Sequence, residues 1–520
     1  MTINEIASPR RLLRKVGVRN DNDMCGITGI IGNKDVATEI YEGLLCLQHR
    51  GQDSAGIATY GDRFHLKKGM GLVRDVFSQD DILHLQGSMG IGQVRYPTVG
   101  GGSAEDTQPF ITSSPYGIAM AHNGNIFNHW QLKKELFEKD NRQINSNNDV
   151  EVILNVFAHE LSRFCHKEFF ESICLAVKSV HERAKGAYSA IALIADKGLV
   201  AFRDPHGIRP LVWGQRKTSF KTEHIFASEN TMFEILGFEF YRDLEPGEVV
   251  FIDLQGKVFN KRVTAKEFRP CIFEYVYFAR PDALLNGVSV YRARLRMGQN
   301  LAAKIKRDYP DLKIDVVIPA PESANTAGLA CAHELGARYS QGIVKNHFIG
   351  RTFIMPGQEV RQRANKYKLS VIDFEVEGEN VLIVDDSIVR GNVSKHIINL
   401  VRKHGAKKVY FASASPALRW PDLYGIDLPT RDEYVAYNRT EDEIRQFIGA
   451  DALIYQDLPD LIEAVTRKGD LKFSRPHCAF FDGDYATGDV TEEILAEVES
   501  IRKGERSVKK DPEHSKGKLI

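Results

Sequence analysis

Two adjacent carboxylates, Asp385 and Asp386, end a short apolar run at 381–384 and are followed by Ser387-Ile388-Val389-Arg390-Gly391. An acid pair at the carboxyl end of a strand sits where open α/β sheets place their ligands. The helix amino end expected after Gly391 offers backbone N–H groups to an anion. An isolated Asp-Asp also reads as a helix cap in a solvated loop; here strand, acid pair, turn and helix agree on a site. A second set of reactive residues begins at Met24-Cys25-Gly26-Ile27. A cysteine that becomes the first residue has its own α-amine, of near-neutral pKa, as a base for its thiol. A buried structural cysteine is the plainer reading. Farther on, His122-Asn123-Gly124 is a turn able to offer a side-chain amide and a glycine N–H together, the parts of an oxyanion hole. Arg95 falls on a strand, and Asn148-Asp149-Val150-Glu151 puts acids at a helix start, where capping is the simpler role.

These side chains need elements to hold them. The run at 381–384 is short, apolar and bounded like a strand buried on both faces. Ile397, Ile398, Leu400 and Val401 then repeat at helical spacing and stop at Gly405, before a second apolar run at 409–412. That is a β–turn–α–β unit. Another buried strand, 315–321, ends in Ala320-Pro321-Glu322-Ser323. Residues 345–372 form a long basic segment with Lys345, Arg351, Arg361, Arg363, Lys366 and Lys368, and loops of this length are unusual unless they act. The strand pattern weakens at 257–267, the expected boundary between domains.

The Asp385–Gly391 stretch resembles the ribose-phosphate loop of the type I phosphoribosyltransferases. Cys25-Gly26-Ile27, Arg50-Gly51-Gln52-Asp53, Gln93-Val94-Arg95-Tyr96, His122-Asn123-Gly124 and Asn148-Asp149 together resemble the class II (N-terminal nucleophile) glutamine amidotransferases. The combination, from Cys25 to about Asp489, is similar to the glutamine phosphoribosylpyrophosphate amidotransferases. The resemblance implies an α/β and α+β chain: a leader or propeptide at 1–24, an Ntn-hydrolase αββα sandwich at 25–260, a parallel-sheet phosphoribosyltransferase domain at 261–490, and a helix with a disordered tail at 491–520. It implies that Cys25 attacks the glutamine amide, that Asn123 and Gly124 hold the oxyanion, that Arg95 takes the substrate carboxylate and that Asp149 takes its ammonium. Lys345, Arg351, Asp385, Asp386, Ser387, Arg390 and Gly391 would bind phosphoribosylpyrophosphate, with Ser323, Asp385 and Asp386 beside Mg2+. The long loop would close over the sugar diphosphate and form a channel for ammonia. The expected product is 5-phosphoribosylamine, made at the first committed step of purine synthesis by a cytoplasmic homodimer or homotetramer. Arg203-Asp204-Pro205-His206-Gly207-Ile208-Arg209 also fits that family, as scaffold around the glutamine pocket.

Composition sets outer limits. The 520 residues carry 69 basic and 69 acidic side chains, so no net field favours nucleic acid or an acidic membrane, and no apolar run approaches a membrane span. Seven scattered cysteines without CxxC spacing point to a reducing compartment. Some members of the resembled family carry an iron–sulfur cluster; Cys271 and Cys478 fall near two of its ligand positions, but a cluster needs four thiolates, so none is expected. Residues 1–24 fit a disordered leader, a propeptide, or an upstream start codon with Met24 as the true start. A transit peptide fits less well, because Glu5, Asp21 and Asp23 are present and serine is sparse.

Three residues or runs depart from the family pattern. The phosphate turn, usually Gly-Thr-Thr, reads Gly391-Asn392-Val393, and Val393 has no hydroxyl for the 5-phosphate. The loop run usually rich in arginine reads Ala364-Asn365-Lys366-Tyr367-Lys368. Gln93 stands where a histidine is usual. A paralogue using another phosphosugar, a glutaminase with an impaired second half and a regulatory binding protein are the competing expectations.

Overall fold

The computed structural model describes residues 24–95, 104–346, 369–426, 430–467 and 473–510. The leader, Arg351, the run 364–368 and the tail beyond 510 lie outside them. The described chain falls into two compact units. One comprises residues 24–294, 418–437 and 458–510; the other comprises Leu295–Ala417 and Asn438–Asp457. Among the described residues no helix is long and apolar enough to cross a membrane.

The first unit contains two antiparallel sheets. In the seven-stranded sheet, β1 (Gly26–Ile31) is followed by α1 (Ala37–Cys46) and lies beside β2 (Met89–Arg95). The register pairs Gly26 with Val94, which brings the chain at Cys25 alongside Arg95. Gly90 and Gly92 explain how α1 packs so close to this sheet: a Cβ at either would meet the Ile40 side chain at 2.5–2.6 Å. In the six-stranded sheet, β3 (Ile118–Ile126) precedes the helices α2 (Asp149–Arg163) and α3 (Phe169–Arg183), then β4 (Gly186–Ile194) and β5 (Gly198–Arg203). The other neighbour of β1 is β6 (Thr222–Ala227).

The period-two alternation of strands builds the layers. On β3, Ile118, Met120 and Ile126 pack with Ile153, Phe157, Ile173 and Val177 of α2 and α3. Ala119 and Ala121 turn the other way, into a core shared with Ile27, Ile31 and Ile91 of the facing sheet. Helix, sheet, sheet and helix therefore stack as the αββα sandwich expected.

The second unit is an open sheet of five parallel strands. In chain order they are β7 (Val316–Pro319), β8 (Arg338–Tyr339), β9 (Asn380–Asp385), β10 (Lys408–Ser413) and β11 (Ala452–Tyr455), with α4 (Asn392–Lys403) between β9 and β10. Across the sheet the order is β8-β7-β9-β10-β11. The order reverses direction between β7 and β9, and that switch point is where such sheets bind ligands. The stems of the long basic segment, Ile343–Lys345 and Leu369–Val371, pair as an antiparallel ribbon.

Candidate functional site

In the sandwich unit, Cys25 is 4% exposed and directly precedes β1. Met24 stands before it, buried, its N–H donating to the Arg50 carbonyl at 3.0 Å. Arg50 returns the tie: its Nε donates to the Cys25 carbonyl at 3.0 Å. The Arg50 guanidinium is fully buried and lies 2.6 Å from Glu229 and 2.8 Å from Glu274. Burial opposes the Arg50 charge, but Glu274 and then Glu229 outweigh it and raise its pKa. Burial likewise opposes ionisation of Glu229, yet His49 and Arg50 hold its carboxyl down at about 2. The cysteine's backbone is thus anchored by a buried ion cluster.

The expected glutamine residues are joined by a chain of hydrogen bonds. The Ser228 hydroxyl accepts from the Ile27 N–H at 3.1 Å and from Asn123 Nδ2 at 3.3 Å, tying the strand after Cys25 to the Asn123-Gly124 turn. The next residue, Gly124, has φ +151°, and a Cβ there would lie 2.1 Å from the Ala187 carbonyl oxygen, so only glycine fits. On the other side of Asn123, His122 Nε2 lies 3.1 Å from Asp149 Oδ2. Asp149 opens α2, capped by Asn148, whose Oδ1 accepts from the Val150 N–H. Asn148 Nδ2 and Arg95 NH1 both donate to the Asp106 carbonyl, at 2.6 and 2.7 Å. Arg95 lies next to Val94, the partner of Gly26, which closes the circuit. Cys25, Arg95, Asn123, Gly124 and Asp149 are therefore brought together. Burial opposes the Asp149 charge; His122, His129 and the Ile126 N–H hold its carboxyl below the usual range. Gln93 donates to the His122 carbonyl at 2.8 Å, and its buried Oε1 has no hydrogen-bond partner among the described residues.

Sequence reasoning passed over His122, Asp106, Ser228 and the Arg50 cluster. Arg50 and His122 belong to the Arg50–Asp53 and His122–Gly124 motifs, and Glu274 lies three residues after Cys271, but nothing local in the sequence shows what each touches. The Arg203–Arg209 turn is a hydrogen-bonded corner. Asp204 accepts from the N–H groups of His206, Ile208 and Arg209, and Arg203 donates to the carbonyls of Gly207 and Arg209.

In the parallel-sheet unit, Asp385 ends β9 and Asp386 follows, at the switch point. Asp386 is buried: Ser387 Oγ donates to its Oδ1 at 2.7 Å, and Ser323 Oγ, from beyond β7, donates to its Oδ2. Burial first, and then the charge of Asp386, push Asp385 well above the usual carboxylate range. Such a pair favours a cation or a set of donor hydroxyls. Among the described residues no three His, Cys, Asp or Glu side chains converge on one metal position. A hard cation held by one or two carboxylates takes its other ligands from water and substrate phosphate, and this donor set fits Mg2+ in that way. Gly391 has φ +74° and, as the residue before α4, brings no side-chain cap, and the first N–H groups of a helix have no partner within it. Val393 is 56% exposed there, whereas Ser394 is turned inward and buried. Lys345 Nζ lies 3.9 Å from Glu322. The expected pyrophosphate group Arg351 falls outside the described residues.

A family model for a glutamine amidotransferase domain matches residues 98–234. The amidophosphoribosyltransferase of Pseudomonas aeruginosa is 52% identical over 482 residues, covering 92% of this chain and 96% of that protein. The Escherichia coli amidophosphoribosyltransferase is 49% identical over 484 residues, covering 92% and 96%. Among solved structures, the glutamine phosphoribosylpyrophosphate amidotransferase from B. subtilis, complexed with ADP and GMP, aligns with a TM-score of 0.79 at 35% identity. It covers 90% of this chain and 99% of its own.

Proposed function

The chain belongs to the amidophosphoribosyltransferase family, and from that premise we propose how its residues divide the work of making 5-phosphoribosylamine from glutamine and phosphoribosylpyrophosphate, the first step of purine synthesis. Once Cys25 is the first residue, its α-amine takes the thiol proton, and the thiolate attacks the glutamine amide carbon. Asn123 Nδ2 and the Gly124 N–H receive the oxyanion. Ammonia leaves, and water cleaves the glutamyl thioester. The Arg95 fork takes the substrate carboxylate and Asp149 its ammonium.

Ammonia then displaces pyrophosphate from the anomeric carbon of the sugar. Asp385 and Asp386, steadied by Ser323 and Ser387, hold the ribose hydroxyls or the cation. Ser387, Arg390, Gly391 and the helix amino end take the 5-phosphate. Lys345 and Arg351 take the pyrophosphate. Bound at Asp385, Asp386 and Ser323, Mg2+ would neutralise charge on the leaving group. No base is assigned to this half, because ammonia arrives as the nucleophile.

An iron–sulfur cluster is not part of the proposal. Cys271 and Cys478 are fully buried, and burial pushes the Cys271 thiol up to about 12 and Cys478 well above its ordinary value. A reducing, cytoplasmic setting accords with seven cysteines outside disulfides. A homodimer or homotetramer completes the reading, to be checked by light scattering.

The observation that carries the assignment of residues is the closed circuit from Cys25 through Ser228, Asn123, Asp149 and Asp106 to Arg95. The experiment is intact-mass analysis of active enzyme, paired with assays of glutamate and phosphoribosylamine. Active protein should begin at Cys25. Full glutamine-dependent activity in a chain that still carries Met24 would remove the α-amine from the mechanism.

A further inference from the structure

One buried residue joins the two ends of the glutamine site. His122 directly precedes the oxyanion turn and touches the residue assigned to the substrate ammonium. It is held at four atoms. Its N–H donates to Gln108 Oε1 at 2.8 Å, and its carbonyl accepts from Gln93 Nε2 at 2.8 Å. Its Nδ1 lies 3.0 Å from Gln108 Nε2, and its Nε2 lies 3.1 Å from Asp149 Oδ2. His122, Gln93, Gln108 and Asp149 are each 2% exposed or less.

The tautomer follows from this arrangement. Gln108 Oε1 must be the oxygen, because it accepts a backbone N–H. The other end of that amide is then a donor, so His122 Nδ1 is its acceptor. The ring proton therefore sits on Nε2 and points at Asp149. The Ile126 N–H donates to the same Oδ2 at 3.1 Å. Both hydrogen bonds given to the Asp149 carboxylate by the described residues thus fall on Oδ2. Oδ1 is left for the ligand. A neutral imidazole suits this place, because a protonated one would put a cation beside the incoming ammonium.

We propose that His122 is a positioning residue of the glutaminase half: fixed by Gln108 as the neutral Nε2–H tautomer, it turns Asp149 so that Oδ1 receives the α-ammonium of glutamine. The proposal rests on the reading of Asp149 given above. It also makes Gln93 a brace rather than a bystander, since its amide holds the same residue from the neighbouring sheet.

The test is steady-state hydrolysis of the side-chain amide by the full chain with phosphoribosylpyrophosphate present, read as glutamate from glutamine and glutarate from the analogue. Two substrates are compared: glutamine and its analogue lacking the α-amino group, 4-carbamoylbutanoate. His122→Ala should raise the KM for glutamine about ten- to hundred-fold, with a smaller change in kcat, as expected for a lost hydrogen bond to a charged group. It should also narrow the preference for glutamine over the analogue. His122→Gln, whose amide N–H reaches the place of Nε2–H, should recover most of the KM. An unchanged KM in His122→Ala, a fall confined to kcat, or no recovery in His122→Gln would overturn the proposal. Asp149→Asn separates the two layers. If it keeps the full preference for glutamine, the reading of Asp149 fails. If it loses that preference while His122→Ala keeps it, only the positioning role fails. Should His122→Ala not fold, Gln108→Leu releases the ring from outside; it should move KM in the same direction, and an unchanged KM there overturns the proposal equally.

Discussion

Val393 stands 56% exposed at the amino end of α4, where the turn after Asp385 and Asp386 opens, and Ser394 beside it is buried. A hydroxyl one residue along a helix points about 100° away, so the serine does not replace a threonine at 393. Position 393 therefore adds no side-chain donor to the proposed phosphate site of Ser387, Arg390, Gly391 and the helix amino end. Val393→Thr should restore one charge-assisted hydrogen bond and lower the KM for phosphoribosylpyrophosphate by about ten-fold or somewhat more. The KM for glutamine should not move. Equal KM values in both proteins would mean that a side chain at 393 does not reach the phosphate. At the other end of the chain, Cys25→Ala should abolish synthesis from glutamine while leaving synthesis from added ammonium salts, since only the nitrogen source is lost. Phosphoribosylamine formation from each donor measures this, and loss of both activities would count against separate roles for the two halves.

Among the elements, β9, α4 and β10 were legible because each carries its own signal: an apolar run, a helical spacing that stops at Gly405, and a second apolar run. The acid pair was legible because its place at a strand end limits what it can do. The circuit around Cys25 was not. Ser228 meets Asn123 across 105 positions of sequence, and Arg50 meets Glu274 across 224. Polar residues at loop ends have no periodicity, and sheet topology alone decides their partners. Those unread contacts have a measurable consequence. Glu229 titrates near 2 in the folded chain instead of at its ordinary 4.5. A depressed carboxylate adds stability that is complete above the unfolded value and lost as pH falls toward the folded one. The contribution is about 3 kcal/mol on the scale of 1.36 kcal/mol for each pH unit. Urea midpoints followed from pH 5 to pH 2 should therefore fall more steeply in the wild type than in Glu229→Gln. Parallel curves would show that Glu229 does not carry the effect. At pH 7 the same variant should be less stable by about 3–5 kcal/mol, because Arg50 keeps its buried charge with one partner gone.

At the scale of the whole molecule, the unit holding the proposed glutamine site does not end with its last sheet strand, Val258–Arg262. The same compact unit runs on to Arg294 and takes in Leu418–Tyr437. These later residues reach its core. Glu274 pairs with Arg50, and the Tyr424 carbonyl accepts from Arg209 Nε at 2.6 Å. The Leu423 carbonyl accepts from Asn125 Nδ2 at 2.8 Å. Gly425, at φ +112°, lies so near the Asn123-Gly124 turn that a Cβ on it would sit 2.8 Å from the Gly124 carbonyl carbon. A fragment ending at Arg262 would strip two fully buried guanidinium groups of these partners, at several kcal/mol each, against a domain stability of only about 5–15 kcal/mol. Residues 25–262 alone should therefore show no cooperative thermal transition and no glutamate release. In the full chain, Glu274→Gln should lower the urea midpoint and weaken glutamine-dependent turnover together, since Arg50 also holds the Cys25 carbonyl. A sharp melt with wild-type glutaminase activity in the fragment would show that the sandwich stands without the residues that follow it, and that Arg50 and Arg209 find other partners when Glu274 and Tyr424 are gone.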